Sequence, residues 1–193
     1  MASVVVFHSV LGVRQGEMDA AERLRSAGHH VIVPDLYGGR RFDDYDLAMT
    51  FSHDLGNDTI NRRALESVAD LPDGFITAGF SMGSGVAVYV ATQRQVRGVV
   101  QFAGLNVLEW YGPEVRWPTG IDSQSHQTVD DPWREDEFAE QAIRDVTSAG
   151  GTIEVFVYPG SGHLFTDPTL PDEYDAAATE LLWTRVLPFV AAR

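Results

Sequence analysis

Along the chain, a short run rich in β-branched residues repeatedly gives way to turn residues and then to a helical stretch. This alternation is the strongest constraint on the fold. Parallel strands joined by crossover helices bury both faces of a sheet, so their strands read as near-continuous apolar runs. Ser3 to His8 is such a run, followed by a helix over Glu17 to Ala27 with Gly28 just past its end. His30 to Pro34 is the second strand. Asp35 to Gly56 has little periodicity and reads as loop with a short helix, and Asp58 is placed to cap a helix over Thr59 to about Leu71. Gly74 to Phe80 and Val96 to Phe102 are strands flanking a helix over Met82 to Arg94. Ile121 to Gln127 is the fifth strand, although Asp122-Ser123-Gln124-Ser125-His126 is polar for a buried position. Arg134 to Ala149 reads as helix, Thr152 to Tyr158 as the sixth strand and Asp172 to Ala192 as a closing helix. The expectation is one three-layer α/β domain spanning residues 1–193.

Composition narrows the function. The 28 acidic residues against 14 basic ones give a formal charge of -14, which repels phosphate backbones and anionic headgroups. Nucleic-acid and membrane-surface roles are therefore not expected. Every basic residue is arginine, and without lysine neither a Schiff base nor P-loop phosphate binding is available. Without cysteine there is no disulfide, thiol nucleophile or Cys-ligated zinc. The first apolar run is too short for a signal-peptide core, and no segment reaches the roughly 18 apolar residues of a membrane span. A cytoplasmic location is the expectation.

Ligands in parallel α/β sheets bind beyond the carboxyl ends of the strands. There, between the third strand and its helix, Gly79-Phe80-Ser81-Met82-Gly83 fits the pattern G-x-S-x-G. A sharp strand-to-helix turn lifts the serine clear of the sheet, and the flanking glycines let the backbones approach. The amide of Met82 belongs to the helix N-terminus, where unpaired donors and the helix dipole favour negative charge. The same small residues can also serve packing alone, but the strand–turn–helix context favours a nucleophile.

A serine needs a base, and His163 is the best placed of the six histidines, in the glycine-rich loop Tyr158 to His163 after the last strand. His29 and His30 lie at the opposite edge of the sheet, His53 in the irregular segment and His126 inside a strand. His8 reads as a hydrogen-bonded structural residue. An acid must orient the imidazole. Asp130 and Asp131 both follow the fifth strand, and either is equally suited to capping the next helix. The order serine, acid, histidine belongs to α/β-hydrolases. A second oxyanion donor is expected from the loop His8 to Gly12, through the amide of Val10. Ser9, Trp110, Trp117 and Phe165 are candidate pocket residues, the tryptophans being equally suited to a lid or to core. Arg40-Arg41 and the run Asp43 to Asp46 read as solvated surface.

On these motifs the sequence resembles the dienelactone hydrolase family of α/β-hydrolases over nearly its whole length. The resemblance rests on His8 to Gly12, Val33-Pro34-Asp35-Leu36-Tyr37, Gly79 to Gly83, Asp131-Pro132 and the run Tyr158 to Phe165. It implies an α/β-hydrolase core with parallel strand order 2-1-3-4-5-6 and helices on both faces. It also implies that Asp131, before the proline, is the acid. The family's best-known members use a cysteine nucleophile, helped by a glutamate in the loop after the first strand; here these positions hold Ser81 and Ser9. Those enzymes also grip a substrate carboxylate with an arginine after the histidine, where this chain has Leu164-Phe165-Thr166-Asp167.

The expected activity is cleavage of a small carboxylic ester or lactone through an acyl-Ser81 intermediate, with no cofactor, no metal and no obligate protein partner. Two alternatives stand beside it. One is a catalytically silent α/β-hydrolase fold that binds a ligand or protein, and the other is a thioesterase or acyltransferase using the same three residues.

Overall fold

A computed structural model describes residues 1–134 and 136–193, and Glu135, within the helix expected over Arg134 to Ala149, lies outside it. Six parallel strands form one sheet: β1 (Ser3–Phe7), β2 (His30–Ile32), β3 (Phe75–Phe80), β4 (Val96–Phe102), β5 (Asp122–Thr128) and β6 (Ile153–Tyr158). Their spatial order is β2-β1-β3-β4-β5-β6, with helices on both faces. The helices are α1 (Gln15–Ser26), α2 (Tyr45–Leu55), α3 (Asn57–Ser67), α4 (Met82–Gln93), α5 (Ala139–Ser148) and α6 (Ala176–Ala191). None of the described helices is long and apolar enough to cross a membrane.

The alternation of β1 divides the interior. Val4 and Val6 point to one face and pack with Leu24 of α1 and Leu182, Trp183 and Val186 of α6. Val5 and Phe7 point to the other, against Ile60 of α3, Val86 and Val90 of α4 and Val146 of α5. Each strand end is thereby held between two packed layers, which fixes the loops that follow.

Several boundaries differ from the sequence reading, for local reasons. Residues 45–55 form a full helix, because the Asp44 carboxylate caps it by accepting from the Leu47 amide at 2.8 Å. Helix α3 begins at Asn57 with Gly56 as its cap, so Asp58 lies inside the first turn. Helix α6 begins at Ala176 rather than at Asp172, with Asp175 as its cap accepting from the Ala178 amide at 2.9 Å. Helix α5 proper starts at Ala139, after a short 3-10 turn at Asp136–Phe138.

The polar fifth strand is a strand after all, because partners lie on both sides of it. His126 is fully buried, accepts from the Tyr158 hydroxyl through Nδ1 at 2.8 Å and donates through Nε2 to Gln124 Oε1 at 3.2 Å. Burial, with a smaller contribution from Arg185, pushes its pKa down to about 3. An unfolded histidine takes up a proton near pH 6.5, whereas the folded one stays neutral until about pH 3. Stability is therefore lost as pH falls from about 6.5 toward 3, by up to about 1.4 kcal/mol per pH unit. The urea midpoint of His126→Gln is expected to fall less steeply between pH 6.5 and 4 than that of the wild type. Parallel slopes would show that His126 does not carry this dependence.

Candidate active site

Ser81 sits at the turn between β3 and α4 with φ 52° and ψ -115°, a left-handed conformation that side chains rarely adopt. The turn is held on both sides. The Ser81 amide donates to the Phe102 carbonyl on β4 at 2.8 Å, and the Ser84 amide donates back to the Ser81 carbonyl at 2.8 Å. The flanking glycines are required by contact. A Cβ on Gly79 would collide with the Gly83 carbonyl, and one on Gly83 with the carbonyl oxygens of Phe7 and His8 on β1 and its following loop. Gly83→Ala is expected to destabilise by roughly 1–3 kcal/mol through backbone displacement. Each kcal/mol lowers Tm by about 2–4 °C at this size. A melt within 1 °C of wild type, on the scale of a surface change of about 0.3 kcal/mol, would refute the close approach.

The side chains of Ser81, His163 and Asp131 form one hydrogen-bonded chain. The Ser81 hydroxyl donates to His163 Nε2 at 2.7 Å, and His163 Nδ1 donates to Asp131 Oδ2 at 2.8 Å. Asp131 Oδ1 also accepts from the Trp133 amide at 2.8 Å, which fixes the carboxylate in the plane it needs. His163 and Asp131 are each 6% exposed and Ser81 is half-buried. Asp130 is exposed and takes no part in the chain; its amide donates to the Gly160 carbonyl at 3.0 Å. A serine beside a buried, oriented imidazole can lose its proton as it attacks a carbonyl carbon.

The loop after β1 is fixed by Glu17, which the sequence did not single out, and by His8, which it read as a hydrogen-bonded structural residue. Glu17 is buried in the first turn of α1 and accepts from the Ser9 amide at 2.9 Å and the Arg14 amide at 3.0 Å. Burial raises its pKa, opposed by these amides. His8 closes the other side, donating through Nδ1 to the Ser9 carbonyl at 2.6 Å and accepting from the Leu36 amide at 3.0 Å. Among the described residues, no hydrogen bond occupies the amide of Val10 or of Met82. Asp167, in the segment where the resembled enzymes carry an arginine, is buried against Arg14, accepting from Nε at 2.9 Å. This ion pair ties the segment after His163 to the start of α1. Glu173 anchors the same segment by accepting from the Leu164 amide at 2.6 Å and from the Tyr45 hydroxyl at 3.0 Å. Acidic residues at turns are common enough that spacing alone did not distinguish Glu17 or Glu173 from solvated ones.

A cavity of about 180 Å³ opens beside Ser81 and His163, bordered by Ser84, Asn106, Gln127, Trp110 and Trp133. Of the expected pocket residues, only Trp110 lines it. Trp117 is 4% exposed, donates to the Ile121 carbonyl at 2.7 Å and packs in the core beneath α4. Phe165 is core as well, its ring 5.3 Å from that of Tyr158. Ser9 is fully buried and does not reach the cavity. Trp133 stands at the mouth instead, its ring centre 6.0 Å from that of His163.

The family model for dienelactone hydrolases matches residues 1–193. A Salmonella typhi protein whose name provisionally assigns it as a carboxymethylenebutenolidase is 26% identical, over 97% of this chain and 76% of its own length. Among solved structures, a dienelactone hydrolase-like promiscuous phosphotriesterase from metagenomic libraries superposes with a TM-score of 0.82 at 20% identity, covering 100% of this chain and 86% of its own. The mouse alpha/beta hydrolase domain-containing protein 10 gives a TM-score of 0.71 at 12% identity, over 98% of this chain and 90% of its own. At these identities the structural likenesses speak to the fold.

Proposed function

The chain belongs to the dienelactone hydrolase family, and from that premise we propose that it hydrolyses a small carboxylic ester or lactone through an acyl intermediate on Ser81. The observation that carries this reading is the continuous hydrogen-bonded chain from Ser81 through His163 to Asp131, beside a small open cavity. In this mechanism His163 takes the Ser81 proton as the hydroxyl oxygen attacks the carbonyl carbon. The oxyanion is met by the amides of Val10 and Met82, each such donor contributing about 3–4 kcal/mol of transition-state stabilisation. Collapse expels the alkoxide, which leaves with the proton from His163. Water then attacks the acyl-serine with His163 as base, releasing the acid and restoring Ser81. The fixed loops make the geometry available without rearrangement: Glu17 and His8 hold the β1 loop, and Arg14–Asp167 and Glu173 hold the His163 segment. A small-molecule substrate and a cytoplasmic location belong to the same reading.

The test is intact mass after incubation with a fluorophosphonate, followed by peptide mapping, alongside turnover of p-nitrophenyl acetate and butyrate. One adduct, on Ser81, with turnover of either ester is the expected result. A folded protein that takes no label and turns over neither ester would overturn the reading in favour of a silent binding fold.

A further inference from the structure

Strand β5 is unusually polar, and the pattern of its partners singles out one residue. Alternation sends Ser123, Ser125 and Gln127 to one face and Gln124 and His126 to the other. Four of these five are satisfied. Ser123 Oγ accepts from Gln101 Nε2 at 3.1 Å, and Ser125 Oγ donates to the Gly104 carbonyl at 2.7 Å. Gln124 Nε2 donates to Glu154 at 2.9 Å, and His126 bonds Tyr158 and Gln124. Gln127 is the exception. It is only 6% exposed, yet its side-chain amide makes no hydrogen bond to any described residue. It borders the cavity that holds Ser81 and His163 and, unlike the sealed hydroxyls of Ser9 and Thr77, its amide is not closed off from solvent.

A nearly buried amide without a partner is unfavourable unless water or a ligand satisfies it. Of the other polar side-chain groups of the cavity, Ser84 Oγ and Asn106 Nδ2 are already engaged. Asn106 Oδ1 and the indoles of Trp110 and Trp133 have no partner among the described residues, but they belong to more exposed residues. Ser84 Oγ donates to the Ser81 carbonyl at 2.6 Å, and Asn106 Nδ2 donates to Ser84 and Gln101, both at 2.9 Å. We propose that Gln127 is a specificity-determining residue, whose amide hydrogen-bonds a neutral polar group on the part of the substrate that enters this cavity. The inference rests on the ester-hydrolase reading above and specifies its substrate class. A hydroxyl, ether or carbonyl oxygen fits, because an amide offers both donors and an acceptor. A carboxylate has no counter-charge there: no arginine is among the described lining residues, and the chain has no lysine. Size sets a second limit. A cavity of about 150 Å³ holds benzene, so this one, at about 180 Å³, takes a five- or six-membered ring or an acyl chain of similar bulk.

The experiment compares matched pairs that differ only in oxygen against carbon. One pair is α-hydroxy-γ-butyrolactone and α-methyl-γ-butyrolactone; the other is p-nitrophenyl methoxyacetate and p-nitrophenyl butyrate. The readout is the ratio of kcat/KM, polar over apolar, in wild type and in Gln127→Met, which keeps the length and loses the amide. Dividing the two ratios cancels the intrinsic reactivity of each substrate. The ratio is expected to fall in Gln127→Met by on the order of 10-fold for at least one pair. Gln127→Asn, which keeps the amide one methylene back, is expected to fall less. Gln127→Leu replaces the Met variant if that one fails to fold. Ratios unchanged in folded, active variants would overturn the role of Gln127 while leaving the hydrolase reading intact. A wild type that turns over none of the four substrates and takes no fluorophosphonate label would overturn both.

Discussion

Ser81→Ala is expected to lower kcat/KM on p-nitrophenyl butyrate by about 10^4-fold or more, and to abolish fluorophosphonate labelling. The size follows from the route. Without the hydroxyl no acyl intermediate forms, and what survives is the contribution of positioning and oxyanion donors to direct attack by water. The stability of the variant is equally informative. Ser81 carries its side chain at φ 52°, and an alanine there keeps the same Cβ conflict. Such conformations cost about 1–3 kcal/mol. Glycine relieves the strain while adding about 0.5–1 kcal/mol of unfolded-state entropy. Ser81→Gly is therefore expected to melt a few degrees above Ser81→Ala, with both equally inactive. If the two melted together, the strain stored in the turn would be no more than the entropy cost of glycine, about 0.5–1 kcal/mol. If Ser81→Ala kept more than a hundredth of the wild-type rate, the acyl-serine route would be wrong.

That strain is where the sequence was most legible. Small residues at a βα turn can serve packing alone, but their placement between a strand and a helix marked the turn, and the contacts of Gly79 and Gly83 show why alanine fails there. Strands β1, β3 and β4 were visible for a related reason: a parallel strand buried on both faces leaves an apolar run that little else produces. Strand β6, half-exposed at the sheet edge, showed itself by its β-branched and aromatic run after Gly150-Gly151. Strand β5 broke that rule. Its serines, Gln124 and His126 are paired with Gln101, Gly104, Glu154 and Tyr158, which are distant in sequence, so no local pattern could announce them. Helix α2 was obscured in the same way, since its cap Asp44 lay inside an acidic run that looked merely solvated.

The pocket was the least legible part. An aromatic residue near a site reads the same whether it lines a cavity or fills the core. Trp117 is committed by a bond from its indole to the Ile121 carbonyl, and Phe165 by packing its ring, tilted, against that of Tyr158. Both depend on where the chain turns, which spacing does not encode. The same limit hid Arg14 and Asp167, whose pairing joins residues 153 positions apart. Residue types therefore singled out Ser81, His163 and Asp131, which the structure brings into one hydrogen-bonded chain, while the framework holding them required the third dimension.

Asp131→Asn is expected to lower kcat by about 10^4-fold while leaving KM within a few-fold and the fold intact. The geometry gives the reason. Asp131 Oδ1 accepts from the Trp133 amide at 2.8 Å, so an asparagine keeps its carbonyl oxygen on that donor. Its NH2 group then occupies the Oδ2 position, 2.8 Å from His163 Nδ1. The retained carbonyl oxygen lies 3.0 Å from the same nitrogen, but the nearer atom is then a donor, and two donors cannot face each other at that distance. His163 must carry its proton on Nε2 and present a lone pair at Nδ1. The proton on Nε2 then points at the Ser81 hydroxyl, and the imidazole can no longer receive the serine proton. The substrate still binds, because neither the cavity nor the β1 loop has moved, so the loss falls on kcat. Asp130→Asn is the matched control; its exposed side chain makes no hydrogen bond to a described residue, and its rate is expected to stay within about twofold. Steady-state kinetics at pH 8 on the two variants decide the matter. Equal rates would mean that neither acid orients the histidine, and a loss confined to Asp130→Asn would transfer the role to the neighbouring carboxylate.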